Sequence, residues 1–290
     1  MAQGEGMKGA GHSRRRRLAL GFLTGTALML GAVAWAQSDD ARKCLEEKNV
    51  DLAIHYCTRA IRSGQLSDQE LASAFHGRGI AYGRTGDYDR AIQDFDQALR
   101  LNPNLADALN NRGVAYQFKG DYDRAIQDFD QALRLNPNHA DAFTNRARVR
   151  FYQGKFREAV PDFAKAVGLV PNDPYTIIGL YLAQARAGQD GRADLTRNAA
   201  RLSLKEWPAP VVSLYLGSTT PQAVLDAAKA PDARRQREQE CEAYFYVGQH
   251  HLIQGRKDEA IRMFRASVAT GVTIFVEYEW ARAELSRLGN

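Results

Sequence analysis

The chain has 290 residues, 44% of them hydrophobic and 25% charged, with three cysteines and no long low-complexity tract, so it can bury a core. Its net charge of +5 and isoelectric point near 9.1 would point toward nucleic acid. The excess is local, because residues 1–36 hold five of the 39 Lys and Arg and one of the 34 acidic residues. The remainder has 34 basic and 33 acidic side chains, a net of +1, and nucleic-acid binding is not expected.

The first element is a basic patch, Arg14 to Arg17, followed by 19 largely apolar residues, Leu18 to Ala36, that end in Ala34-Trp35-Ala36. A basic start, an apolar run and a small-x-small end together read as a secretory signal peptide over 1–36, cleaved before Gln37. The same run, residues 18–36, is just long enough to serve instead as an uncleaved inner-membrane anchor. Either way the rest of the chain is expected to be periplasmic or secreted. No cysteine follows the run at a lipobox spacing, so a lipid anchor is not expected.

Residues 37–71 read as a degenerate helical hairpin. Cys44 and Cys57 stand 13 apart, the spacing of Tyr82 to Phe95 and of Tyr116 to Phe129 further on, and Ala53 and Ala60 align with Ala91 and Ala98. The two cysteines should therefore meet across paired helices. Behind an export signal they are expected to form a disulfide, worth about 3 kcal/mol for a loop this short. The alternative is a pair of buried free thiols in place of an aromatic pair. Cys241 remains as an ordinary helix residue, and with no C-x-x-C and no third ligand nearby, no metal is expected.

Residues 86–104 read GDYDRAIQDFDQALRLNPN, and residues 120–138 repeat the same 19 letters, an offset of 34. A unit starting at Ala72 places Gly79 at position 8, Tyr82 at 11, Gly86 at 15, Ala91 at 20, Phe95 at 24 and Pro103 at 32. The next unit, from Ala106, gives Gly113, Tyr116, Gly120, Ala125, Phe129 and Pro137; a third, from Ala140, gives Ala147, Arg150, Gly154, Ala159, Phe163 and Pro171. Small residues at 8 and 20 let two helices approach, the aromatics at 11 and 24 fill the space between them, Gly at 15 allows the tight turn, and Pro at 32 stops the second helix. In the third unit Arg150 replaces the aromatic, and Pro161 falls inside the second helix, where a kink or a late start is expected.

These units, 72–105, 106–139 and 140–173, resemble the tetratricopeptide repeat (TPR) family. The resemblance implies an all-α solenoid of helix–turn–helix units, a right-handed superhelix whose end needs a capping helix. From Asn172 the register is expected to lapse into an irregular helical segment, 174–240, containing helices near Pro174–Ala183, Ala193–Ser203 and Pro208–Gly217 and a charged connection, Asp232–Glu240. A fourth unit, 241–274, begins at Cys241 with Gly248 at position 8, Gly255 at 15 and Phe264 at 24, and 275–290 reads as the capping helix.

The order of motifs over 72–290 also resembles the NlpI-type envelope TPR proteins of bacteria. The matching stretches are Leu180-Tyr181-Leu182-Ala183, Leu214-Tyr215-Leu216-Gly217, Phe245-Tyr246-Val247-Gly248, Phe275-Val276-Glu277 and Glu284-Leu285-Ser286. That resemblance implies a non-catalytic adaptor that brings proteases together with cell-wall hydrolases. The missing lipobox cysteine and the two-cysteine hairpin are departures from it.

No catalytic constellation is apparent, and no cofactor is expected. His250-His251 is the sole histidine pair, lacks an H-E-x-x-H frame and places His251 at the packing position of Tyr82 and Tyr116. The acidic run Asp121, Asp123, Asp128 and Asp130 lacks the ligand order of a calcium loop and reads as a solvated face. Binding is expected on the first helices of the units, whose positions 2, 5, 9, 12 and 13 line the concave side, as the family resemblance implies. The candidates are His76, Arg84, Asn110, Gln117, Phe118, Thr144, Arg148 and Tyr152, with Asn111 and Asn145 at position 6. Amides would bond a peptide backbone, and aromatics would anchor apolar side chains or else pack on the next repeat. The clamp for chaperone C-terminal carboxylates is not expected, since His76, Ile80, Asp141 and Asn145 stand where its Lys, Asn and Arg are needed. The expected partner is a protein or peptide, such as an envelope protease or peptidoglycan hydrolase. The alternatives are a self-associating structural homodimer and, more remotely, an enzyme using the C-terminal half.

Overall fold

Turn chemistry sets the helix boundaries. Asp87 and Asp121 each cap a helix through their side-chain oxygen, and Gly86 and Gly120 take φ of 83° and 79° in the turns just before them, a left-handed conformation that costs a side-chain-bearing residue. The computed structural model describes residues 39–202, 206–273 and 275–290, and among them the chain forms fifteen helices and no strand. The segment read as signal peptide or anchor lies outside these residues. No helix among them is long and apolar enough to cross a membrane.

Helices α1 (Asp39–Glu46) and α2 (Val50–Arg62) form the N-terminal hairpin. Three repeats follow: α3 (Asp68–Thr85) with α4 (Tyr88–Leu101), α5 (Ala106–Phe118) with α6 (Tyr122–Leu135), and α7 (Ala140–Tyr152) with α8 (Phe156–Leu169). Next come α9 (Pro174–Arg186), α10 (Arg192–Ala199), α11 (Ala209–Leu216) and α12 (Pro221–Ala227). The chain closes with α13 (Ala233–Ile253), α14 (Lys257–Ala269) and α15 (Val276–Arg287).

In the first two repeats and in the α13–α14 hairpin the close approach is made by glycine, and in the third repeat by Ala147. A Cβ on Gly79 would stand 2.7 Å from the Phe95 ring, and one on Gly113 would stand 2.7 Å from Phe129. In the N-terminal hairpin Cys44 and Cys57 are bonded as a disulfide, with Cα atoms 4.6 Å apart.

Three features differ from the sequence reading. Helix α8 begins at Phe156, in register with Tyr88 and Tyr122, despite Pro161. A proline five residues into a helix forfeits one backbone bond near an end that is already short of partners. The 34-residue register also outlives Asn172: Gly188 falls 34 residues after Gly154 and has the same left-handed φ, 78° against 76°. Helix α9 is thus the first helix of a further unit, whose second helix is cut down to the eight residues of α10. Finally, 233–240 is no separate connection, because it is continuous with the 21-residue α13.

The acidic run corrects a further expectation. Asp128 is 5% exposed and accepts from Arg112 at both oxygens, 2.8 and 2.7 Å. The same arginine bonds Asp96 of the preceding repeat at 2.6 Å. The pattern recurs with Arg146, which takes Asp162 of its own repeat and Asp130 of the one before. It recurs again with Arg78, which takes Asp94 and, through Nη1, Thr58 of α2 at 3.1 Å. A row of three arginines therefore bolts each repeat to its predecessor, and Asp128 and Asp130 belong to it.

Candidate functional site

The face that the first helices present to one another is traversed by a buried chain of amides. Asn145 Nδ2 donates to Asn110 Oδ1 at 3.0 Å, Asn110 Nδ2 donates to Asn111 Oδ1 at 3.3 Å, and Asn111 Nδ2 lies 2.9 Å from His76 Nε2. Burial holds the His76 imidazole pKa below its usual value, the Asp107 charge opposing, so its ring is neutral at pH 7 and its Nε2 can accept. Asn110 and Asn111 are 1% exposed, Asn145 4% and Thr144 8%. These four candidates are thus inside, the three asparagines with His76 linking repeats one to three, and their side chains do not reach a ligand on the surface.

Position 13 forms a second row. The Phe118 ring stacks on Tyr88 of the preceding repeat, centroids 4.9 Å apart and planes within 5°, and Tyr152 lies 4.5 Å from Tyr122. Arg186 of α9 continues the row, its guanidinium 4.3 Å from the centre of Phe156. Each ring packs on one neighbour while remaining partly exposed, so packing and binding are both open to Phe118 and Tyr152.

The C-terminal helices fill one end of this face. On α9, Ile178 and Leu182 are wholly buried in one core with Phe245, Tyr246 and Trp280. Tyr175 Oη donates to Glu242 of α13 at 2.9 Å, and Arg186 bonds Gln249 and Glu284. On α7, the Phe151 ring lies 4.8 Å from Trp280 and Tyr152 accepts at its carbonyl from Arg287 Nη1 at 2.6 Å. Helix α15 therefore caps the α13–α14 hairpin and also reaches back to the third repeat. Arg148 faces it: burial raises the Glu277 carboxyl pKa, against the Tyr246 hydroxyl bond and the Arg148 charge.

Of the sequence candidates, His76, Arg84, Gln117, Phe118, Arg148 and Tyr152 retain exposed surface on this side. Arg84 makes no ion pair among the described residues, whereas Arg148 and Tyr152 lie under α15. The face is open over α3 and α5 and closed from α7 onward. Sequence reasoning missed the wall that closes it, Val276, Glu279 and Trp280 of α15, together with Tyr122. The available signal was Arg186, at position 13 of a unit whose turn glycine, Gly188, stands at position 15, which shows the stack continuing beneath the C-terminal helices. Among the described residues no three His, Cys, Asp or Glu side chains converge as a metal site requires.

Residues 106–139 match the family described as "Tetratricopeptide repeat", and residues 79–117 match the one described as "TPR repeat". Among solved structures, YrrB, described as a TPR protein with an unusual peptide-binding site, is 19% identical over 74% of this chain and 91% of its own, TM-score 0.43. The first TPR of Spaghetti (RPAP3) bound to an HSP90 peptide is 25% identical over 42% of this chain and all of its own, TM-score 0.41. MamA is 16% identical over 80% and 88%, TM-score 0.41.

Proposed function

Taking as premise that this is a tetratricopeptide-repeat protein, we propose that it is a non-catalytic adaptor of the bacterial cell envelope that holds a peptide or protein segment in the open half of its concave face. Repeats of this kind make the chain a protein-interaction scaffold. The observation that carries the reading is the asymmetry of the face. Its C-terminal half is filled by α13 and α15, while Arg84, Gln117 and Phe118 over α3 and α5 retain solvent exposure. A half-exposed aromatic on the same face as a cation that makes no ion pair among the described residues is what a peptide anchor needs.

The envelope location rests on the basic and apolar segment before Gln37, and the Cys44–Cys57 disulfide supports it, since such bonds persist in oxidising compartments. Proteases and cell-wall hydrolases are the partners that the NlpI-type resemblance favours. The test is capture from envelope extract with the full chain, with Phe118→Glu, and with Arg134→Glu on the exposed side of α6 as control. A protease or peptidoglycan hydrolase held by the full chain and the control, and lost from Phe118→Glu, is the expected result. Eluates that are identical for all three, or that contain only the bait, overturn the reading.

A further inference from the structure

Where α15 meets the second and third repeats, the open half of the face ends in a narrow cleft. Four aromatic rings, Phe118, Tyr122, Tyr152 and Trp280, line it together with Gln117 and Glu279. The rings come from three separate parts of the chain: α5, the α6–α7 pair and α15. Glu279 is the one ionised group among them, with its side chain 35% exposed. Its ion-pair partner among the described residues is Arg282, one turn along the same helix, at 3.5 Å and itself 59% exposed. A solvated contact of that kind contributes little, so the carboxylate can take a better-placed cation without breaking anything that holds the fold.

The chemistry of this lining selects by charge. Aromatic faces carry negative electrostatic potential and hydrate poorly, so they attract a cation and gain more as water is excluded. A carboxylate among them adds a direct counter-charge, repels an anionic side chain, and would be left under-solvated by a purely apolar one. This chain already uses the same pairing for its own arginines: Arg90 lies 4.4 Å from the Tyr82 ring centre, Arg124 4.4 Å from Tyr116, and Arg186 4.3 Å from Phe156.

We propose that the mouth of this cleft, whose interior of about 20 Å³ holds little more than one water, is the specificity site of the concave face, and that the cationic side chain, arginine or lysine, of the bound peptide lies across it against Glu279. The assignment rests on the groove reading above and adds to it the side-chain class that the groove selects. It also gives α15 a second role, because the helix that closes the C-terminal end supplies both the carboxylate and one ring of the site.

The test uses the full chain and two probes that differ only in charge, acetyl-arginine amide and acetyl-citrulline amide, followed by the NMR signal of the Trp280 indole N–H. The arginine probe should shift that signal saturably, with the citrulline probe weaker by about tenfold. Glu279→Gln, at a half-buried position whose one ion pair among the described residues is solvated, should leave the thermal melt unchanged, reduce arginine binding by a similar factor and remove its salt dependence. Equal responses to the two probes, or no saturable shift with arginine, overturn the proposal. A partner whose capture is lost in Phe118→Glu but unchanged in Glu279→Gln overturns the site while leaving the groove reading intact.

Discussion

Arg186 and Glu284, 98 residues apart in sequence, form a buried ion pair that fastens α15 to the repeat stack. Arg186 donates from both terminal nitrogens, Nη2 at 3.2 Å, with its side chain 15% exposed and that of Glu284 fully buried. Arg287 adds a second cation at 2.9 Å. Burial pushes the Glu284 carboxyl up, but the hydrogen bonds and charges of Arg287 and Arg186 outweigh it, and its pKa lies below the ordinary value. A carboxyl with a depressed folded pKa stabilises fully above its unfolded pKa and loses that contribution as pH falls through the folded one. Glu284→Gln should therefore cost about 3 kcal/mol at pH 7, because it leaves buried guanidinium charge uncompensated. The gap to the parent protein should narrow as pH falls below the ordinary carboxylate range. Urea unfolding at pH 7 and at low pH measures both, and a gap that is constant across that interval contradicts the assignment.

The arginine row between repeats predicts a contrast between two neighbouring arginines. Arg112 joins Asp128 of its own repeat to Asp96 of the one before, with its side chain 21% exposed and that of Asp128 7%. Arg124, on the outer side of the same hairpin, pairs with Asp121 while 58% exposed. Arg112→Ala should destabilise by about 3 kcal/mol or more, since it strands a buried carboxylate and unfastens two repeats. Arg124→Ala, which loses an exposed ion pair and the Tyr116 ring contact, should cost no more than about 1 kcal/mol. Equal midpoints for the two variants would mean that the row contributes nothing.

The repeats were legible because packing positions admit few residue types. Gly79 and Gly113 must be glycine where a phenylalanine ring presses on the backbone, and the 34-residue spacing exposes them. The same positional argument placed Cys44 opposite Cys57. Asp128 was misjudged because an aspartate in a helix reads as solvated unless its partner is seen, and Arg112 lies sixteen residues away on the other helix. Asn110, Asn111 and Asn145 were misplaced for a related reason: concave positions are exposed only while neighbouring side chains do not satisfy one another. The closure of the face by α15 depends on superhelical curvature, which accumulates from small rotations per repeat and leaves no local mark in the sequence.

The disulfide makes a local prediction. Cys57 is fully buried and Cys44 nearly so, both packed with Ala74 of α3, and the bond closes a loop of 13 residues. Closing so short a loop restrains the unfolded hairpin by about 3 kcal/mol, and α1 and α2 have few other residues to hold them. Reduction should speed backbone hydrogen exchange across 39–62 and leave α5 to α8 as slow as before. Exchange that is unchanged after complete reduction would show that the hairpin stands on packing alone.

Arg150 and Glu158 occupy the positions that Tyr82 and Arg90 hold in the first repeat and Tyr116 and Arg124 in the second. There the arginine lies over the tyrosine ring at 4.4 Å; here Arg150 Nε stands 3.8 Å from Glu158, and its Nη1 bonds Asp162 at 2.6 Å. One attractive pair has been exchanged for another, and the residue types changed together. Glu158→Arg alone places two guanidinium groups side by side and should destabilise the third repeat. Arg150→Tyr alone should lose the Glu158 pair, while Asp162 keeps Arg146. The double variant restores the ring-and-cation pair of the other repeats, so its cost should fall short of the sum of the two single costs by about 0.5–1 kcal/mol. Urea midpoints of the parent, both single variants and the double variant close that cycle, and strictly additive costs would show that the two positions do not interact.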